Sequence, residues 1–285
     1  MSRRLRFSKG HGTRNDFVIL TDPDGLHDPS PAEVRFLCDR RAGVGGDGLL
    51  RVVRGRHVAG WSGDPDAWFM DYRNADGSLA EMCGNGVRVF LLHLKESGLV
   101  AHGVQRLDVG TRAGLRTGEY LPDGALRVWM GRPRVDAPGV RVRVGPQEFL
   151  ARAVDVGNPH AVAVLDADAD LPSLDLTRHP DCTPRERFPH DANFEFVRVD
   201  APDEITMRVY DRGVGETFSC GTGTVAAACA TASHLGADGG RFVVHVPGGT
   251  LVVELDGPDA YLTGPAVVLF SGELSLPDDL EVAHG

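Results

Sequence analysis

Two stretches carry residues suited to chemistry: Glu81-Met82-Cys83-Gly84-Asn85-Gly86-Val87 and Phe218-Ser219-Cys220-Gly221-Thr222-Gly223-Thr224. Each is a Cys-Gly-x-Gly turn that leads into an apolar segment of helical length, stopped by Gly98 in the first and by Gly236 in the second. A helix that opens on Gly-x-Gly leaves backbone N–H groups and the positive end of its dipole free to meet an anion. A thiol at that place is expected to have a lowered pKa and to serve as a base. One such cysteine would suggest a nucleophile paired with a histidine. Two in matching contexts suggest another reaction, in which one thiolate takes a proton from carbon and the other thiol returns one to the opposite face. That inverts a stereocentre. The expectation is that the two helix openings face each other across a cleft, with one carbon between the sulfurs. No cofactor is called for if helix N-terminal amides hold the substrate carboxylate and stabilise the charge that develops as the α-proton leaves. Closure of the two halves, with loss of water, strengthens each of these contacts.

Other chemistries find little support. The eleven histidines include no His-x-x-x-His pair, and there is no Cys-x-x-Cys, so no metal site is expected. Asp166-Ala167-Asp168-Ala169-Asp170 begins like a calcium loop, but Leu171 and Thr177 stand where Gly and Glu are needed, which leaves a solvated acidic turn. Gly43-Val44-Gly45-Gly46-Asp47-Gly48 matches G-x-G-x-x-G, yet a helix precedes it and the strand-like Leu49-Leu50-Arg51-Val52-Val53 follows. That is the reverse of a nucleotide fingerprint, so it reads as a helix-to-strand loop. Walker and Gly-x-Ser-x-Gly motifs are absent, and the only lysines, Lys9 and Lys95, limit any pyridoxal anchor to two places. Cys38 and Cys229 lie in apolar helical stretches and read as core thiols; Cys182, in a polar loop, is assigned nothing.

The formal net charge of −10 with dispersed arginines argues against a nucleic-acid surface. No apolar run approaches the ~20 residues that cross a bilayer. The basic start Met1-Ser2-Arg3-Arg4-Leu5-Arg6 lacks the apolar region of a signal peptide, and five cysteines in 285 residues are not a disulfide framework. The expected place is the cytoplasm, with reduced thiols.

The elements that must position the cysteines read as follows. Leu5 to Phe7 and Phe17 to Leu20 are strands flanking Gly10 to Asp16. Ser30-Pro31-Ala32-Glu33 is a capping box with proline at the first helical position, opening a helix from Val34 to Arg41. Strands are expected at 68–72, 106–111, 114–120 and 125–130 around the first cysteine helix. They recur at 140–144, 148–156, 161–165, 194–199, 205–210, 242–246, 250–255 and 267–270 around the second. Pro172 to Pro189 is polar and proline-rich and reads as a loop with room for one helical turn. The shift to Gly131-Arg132-Pro133 and Asp136-Ala137-Pro138-Gly139 marks the internal boundary. Short strands around one central helix, done twice, predict two similar α+β lobes.

Asparagine occurs only at Asn15, Asn74, Asn85, Asn158 and Asn193, with three of the five beside Gly, Asp or Pro, as turn chemistry alone would favour. Together with Phe7 to Phe17, Asn74-Ala75-Asp76-Gly77-Ser78, Met82 to Gly86, Gly157-Asn158-Pro159-His160, Asp211 to Thr217 and Ser219 to Gly223, they resemble the diaminopimelate epimerase family in order and over nearly the whole chain. The resemblance implies cofactor-independent interconversion of LL- and meso-diaminopimelate, on the route to lysine and peptidoglycan, with Cys83 and Cys220 as the acid–base pair. It also implies a pseudo-twofold fold of two lobes, each a strongly curved, mostly antiparallel sheet around a central helix. The first would span 1–129 and the second 130–264, with 265–285 a final strand returning to the first lobe. A homodimer is commonly implied, with a small-molecule substrate and no nucleic-acid or membrane partner. Carried over by motif, the backbone amides of Gly84, Asn85, Gly221 and Thr222 would hold the reacting carboxylate. Asn15 joins the substrate-binding set, and Arg212 with Asn74, Asn158 and Asn193 would grip the distal carboxylate and amine. His160 and Asp211 would orient or tune the thiols and bind ammonium. Three positions depart from the family pattern: Asp211 replaces the usual Glu, Arg14 stands where small or polar residues are common, and Gly48 where some members carry Gln. Two alternatives stand beside this reading. One is a two-cysteine racemase for another amino acid, which would leave Arg212 and the asparagines unpaired. The other is a non-catalytic anion-binding or thiol redox-sensing protein, in which the cysteines would work by forming a disulfide.

Overall fold

A computed structural model describes residues 4–277 and 280. The first three residues and the end of the expected closing segment lie outside the described residues. The chain divides into two compact units, one running to Leu126 and resuming at Pro265, the other Arg127–Gly264.

The first unit contains β1 (Arg4–Gly12), β2 (Asn15–Thr21), α1 (Pro31–Cys38), β3 (Gly48–Arg54), β4 (Trp68–Asn74), α2 (Gly84–Glu96), β5 (Arg106–Thr111) and β6 (Gly114–Tyr120). The second takes β7 (Leu126–Gly131) from Arg127 onward, β8 (Arg134–Val144), β9 (Gln147–Asp155), β10 (Pro159–Leu165), β11 (Asp181–Thr183) and β12 (Asn193–Ala201). It continues with β13 (Glu204–Asp211), β14 (Gly215–Thr217), α3 (Gly221–Leu235), β15 (Gly240–Val246), β16 (Gly249–Asp256) and β17 (Asp259–Gly264). The last strand, β18 (Val267–Ser275), belongs to the first unit and runs antiparallel to β1.

The two units repeat one plan. In the first, the order β18-β1-β2-β3-β4-β5-β6 pairs as antiparallel, antiparallel, parallel, antiparallel, parallel, antiparallel. In the second, β8-β9-β10-β12-β13-β15-β16 follows the same alternation. Each cysteine helix fills the parallel crossover between the fifth and sixth strands of its order, α2 joining β4 to β5 and α3 leading from β14 to β15. Wrapped by its own sheet, α2 packs on β1, β2, β3, β4, β6 and β18, and α3 on β8, β9, β10, β12, β13, β15, β16 and β17. A helix contacted on every side must be apolar all round, and α3 is buried continuously from Gly221 to Ala232. Its run of alanines keeps the surrounding strands close.

Several expectations change in detail. Ser30 caps α1 in a full capping box with Glu33, but the helix ends at Cys38 rather than Arg41. The Asp39 carboxylate captures the N–H groups of Arg41 and Ala42 in a local turn, which competes with further helix. The G-x-G-x-x-G segment is the loop from α1 to β3, as its context indicates. Gly10 to Asp16 is no loop: β1 and β2 form a hairpin closed by Thr13 and Arg14, both at positive φ (49° and 65°). The φ signs match a two-residue hairpin turn usually built from Asn and Gly, so nothing in the residue types announced it. The segment 172–189 contributes the short β11, and β17 forms where no strand was expected, held beside β16 and β7. Among the described residues no helix is long and apolar enough to cross a membrane.

Candidate active site

Each cysteine is the N-cap of its helix. Cys83 and Cys220 both have extended backbones, and each sulfur accepts from the amide of the second glycine in its motif, Gly86 or Gly223, at 3.4 Å. The first N–H groups of the helix, including those of Gly84 and Asn85 or of Gly221 and Thr222, have no carbonyl one turn earlier to bond. Cysteine thus occupies the place where Ser or Asp would ordinarily cap, with the residues that follow opening the positive end of the helix.

In the first unit, the Cys83 thiol lies 3.5 Å from Asn15 Oδ1. A line of amides holds that oxygen in place. Asn15 Nδ2 donates to Asp47 at 2.8 Å, Asn85 Nδ2 donates to Asn15 Oδ1 at 3.3 Å, and Arg88 Nη2 donates to Asn85 Oδ1 at 2.8 Å. An anion at one end and a cation at the other dictate which way both amides face. Arg88 is fully buried and also reaches Thr13 Oγ1 and the Pro265 carbonyl, each at 3.4 Å. Burial lowers its pKa to about 10, so it remains a cation at neutral pH. Asn74 closes β4, where its side chain donates to Ser78 Oγ at 3.0 Å within the 74–78 turn.

In the second unit, His160 and Asn158 at the head of β10 lie beside the opening of α3. His160 Nε2 is 3.0 Å from Asn158 Oδ1, and Asn158 Nδ2 donates to Thr222 Oγ1 at 3.2 Å. Thr222 Oγ1 is 3.5 Å from Cys220 Sγ. Asp211, at the end of β13, accepts from Thr217 and from the Cys220 thiol. Asn193 Oδ1 accepts from the Arg212 amide at 2.8 Å, and the Arg212 guanidinium donates to the His190 carbonyl at 3.1 Å. Burial, then the carboxylates of Asp211 and Glu195, push the Cys220 thiol well above its ordinary range, with Thr222 pulling the other way. The expectation of a lowered thiol pKa at both helix openings therefore fails at Cys220. A dipole end is a weak field beside desolvation of the sulfur and two carboxylates.

A match to the family model described as diaminopimelate epimerase covers residues 7–135 and 152–269. The chain belongs to the diaminopimelate epimerase family. A diaminopimelate epimerase of Streptomyces coelicolor is 49% identical over 96% of both chains. That of Thermobifida fusca is 49% identical over 95% of this chain and 98% of its own, and that of Corynebacterium glutamicum 45% over 97% and 100%. Among solved structures, a hydroxyproline epimerase from Agrobacterium vitis superposes with a TM-score of 0.69 at 15% identity, covering 98% of this chain and 95% of its own. A predicted epimerase from Pseudomonas aeruginosa gives 0.67 at 16%, over 95% and 99%. These structures share the α+β fold.

The departures from the diaminopimelate epimerase pattern have local causes. A Cβ on Gly48 would stand 2.6 Å from the Arg73 carbonyl oxygen and 2.7 Å from the Tyr72 ring, so a side chain there is blocked by the neighbouring strand β4. Asp211, one methylene shorter than the family's usual Glu, stays against Cys220 and Thr217. Arg14 is a corner of the β1–β2 hairpin that delivers Asn15.

Within the first unit, Asn15, Asn85 and Cys83 come together. Within the second, Cys220, Thr222, Asn158, His160 and Asp211 come together, while Asn193 meets the Arg212 backbone. The Asn85 side chain, fully buried, serves to hold Asn15. Three participants escaped the sequence reading: Arg88, Asp47 and Glu195. Glu195 left a signal, a single carboxylate inside Phe194-Glu195-Phe196-Val197 with no exposure at all. Cys38 and Cys229 are buried core thiols, both raised to about 12 by burial, and Cys182 is half-buried in β11.

Proposed function

We propose that this chain epimerises LL-2,6-diaminopimelate to meso-diaminopimelate without a cofactor, with Cys83 and Cys220 acting on opposite faces of one α-carbon. One observation carries this: each of two units built on one strand plan opens its crossover helix on a cysteine that caps it with the same 3.4 Å amide-to-sulfur contact. Membership of the diaminopimelate epimerase family and the near-full-length relatives support the substrate. In this reaction one sulfur, as thiolate, takes the α-proton; the other, as thiol, delivers one to the opposite face. The opening amides of Gly84, Asn85, Gly221 and Thr222 hold the α-carboxylate and stabilise the carbanion's charge. Arg212, Asn74, Asn158 and Asn193 receive the distal carboxylate and amine. A substrate without these distal groups would leave the side chains unpaired, so another amino acid should be a poor substitute.

The same reading carries a place in lysine and peptidoglycan-precursor synthesis, a homodimer and a cytoplasmic location. Light scattering of the purified protein should return twice the mass of one chain. The decisive experiment follows deuterium uptake at the α-carbon from heavy water. Diaminopimelate should exchange and invert, and Cys83→Ala and Cys220→Ala should each reduce inversion at least ~10³-fold. Inversion that survives either change would end the two-thiol mechanism. Faster exchange of another amino acid would end the substrate assignment.

A further inference from the structure

Within the second unit, hydrogen bonds run in a line from a buried carboxylate to the Cys220 sulfur. Glu195 Oε1 is 2.7 Å from His160 Nδ1, and neither side chain has any solvent exposure. The line continues through His160 Nε2 and Asn158 Oδ1, Asn158 Nδ2 and Thr222 Oγ1, and Thr222 Oγ1 and Cys220 Sγ. Its direction follows from what each atom can do. An amide oxygen only accepts, so His160 Nε2 carries a hydrogen and donates to Asn158. An amide nitrogen only donates, so the Thr222 oxygen accepts from Asn158. The Thr222 hydrogen is then left for Cys220, where it favours the thiolate.

The far end obeys the same logic. A histidine with hydrogen on Nε2 shows Glu195 either a bare Nδ1, which needs a protonated carboxyl, or a second N–H, which needs a carboxylate. In both cases one proton is shared between Nδ1 and Oε1, and the pair is neutral overall. Complete burial of both side chains favours that state. We propose that Glu195 is a positioning residue for Cys220: the proton it shares with His160 fixes hydrogen on Nε2 and, through Asn158, turns the Thr222 hydroxyl onto the sulfur. The proposal rests on the acid–base role of Cys220 given above. Two other charged groups face this line. Asp211 of β13 accepts from the thiol and so opposes Thr222, and Asp155 of β9, tied to Arg134, lies within electrostatic reach of His160. Cys220 is thereby held between one partner that favours the thiol and one that favours the thiolate, which suits a group that must be each in turn.

Alkylation by iodoacetamide, followed for Cys220 and Cys83 separately by peptide mass across pH, tests this without turnover. The proteins are the full chain, Glu195→Gln, Thr222→Val and the double variant. A glutamine at 195 should keep oxygen at the Oε1 position, because that atom sits under the first turn of α3, 2.6 Å from where a Gly223 Cβ would be. His160 then carries its hydrogen on Nδ1, Asn158 reverses, and Thr222 donates to Asn158 instead of the sulfur. The expected result is an upward move of the Cys220 midpoint by about one to two pH units in each single variant, equal in the double, with Cys83 unmoved. Epimerisation should lose about 10- to 100-fold in kcat with little change in KM. As a charge, Glu195 raises Cys220 directly, an effect that the proton shared with His160 offsets; a downward move in Glu195→Gln would mean that this charge outweighs the line. That result, no move, a movement shared by Cys83, or an additive double variant would each overturn the proposal. Should Glu195→Gln not fold, nitrogen NMR of His160 in the unaltered protein decides, since a bare Nε2 is incompatible with the line. If epimerisation instead survived Cys220→Ala while the line was found intact, the acid–base reading would fall and the line would stand.

Discussion

Cys83 and Cys220 hold the same position in their helices but keep different electrical company. Cys83 shares electrostatic contact with the buried Arg88 and faces the Asn15 carbonyl, whereas Cys220 faces Asp211 and Glu195. The glycines three residues on should reveal the asymmetry. A Cβ on Gly86 would meet Cys83 Cβ and Leu50 at 3.4 Å, an ordinary contact; one on Gly223 would stand 2.6 Å from Glu195 Oε1 and 3.3 Å from Cys220 Sγ. Gly86→Ala should therefore keep activity within a few-fold and add up to about 1 kcal/mol of stability from helix propensity. Gly223→Ala should displace the Glu195 carboxylate and cost about 10-fold or more in kcat. Steady-state kinetics beside urea unfolding would check both, and equal tolerance at the two sites would contradict the contact geometry.

At the scale of elements, α2 carries a titratable group with a measurable effect. His93 is buried between Thr21 Oγ1 at 2.8 Å and Ser97 Oγ at 3.3 Å, and burial lowers its pKa to about 4. The unfolded chain, with a histidine pKa of about 6.5, binds a proton before the folded one does. The stability at stake is therefore complete above about pH 6.5 and is lost as pH falls toward 4. Between neutral pH and about pH 5 this amounts to about 2 kcal/mol. Urea unfolding at the two pH values should show that loss in the natural chain and its absence in His93→Gln. The same loss in both proteins would mean that His93 is not the group responsible. Helix boundaries follow equally local rules. Serine, proline and glutamate in sequence open α1, and Gly236 at φ 70° closes α3, as their chemistry requires.

At the scale of the molecule, one plan of seven strands and a crossover helix occurs twice, and the first copy is completed by β18, far from β1 in sequence. β18 pairs with β1 from Ser275 opposite Arg4 to Val267 opposite His11, and the Pro265 carbonyl receives Arg88. A chain ended after Gly264 would leave β1 with a bare edge and a buried guanidinium with one partner fewer. Hydrogen exchange should then show β1, β2 and β3 losing protection while β9, β10 and β12 keep theirs. Unchanged protection in β1 would show that the first unit does not depend on β18.

Local rules made much of this protein legible from its residues alone. Cys-Gly-x-Gly before an apolar run specifies a helix with a sulfur cap, and both α2 and α3 follow it. The context of Gly43 to Gly48, a helix before and a strand-like run after, specifies a connecting loop, and the segment joins α1 to β3. These features depend on neighbours in the chain, so the order of residues contains them. What surrounds each sulfur depends on strands far apart in sequence. Glu195 reaches His160 because β12 lies parallel to β10, and Asp47 reaches Asn15 because β3 lies parallel to β2. Burial acts the same way: a helix opening by itself predicts an acidic thiol, but the field at Cys220 is set by the carboxylates and low-dielectric packing that only the folded sheet brings to it.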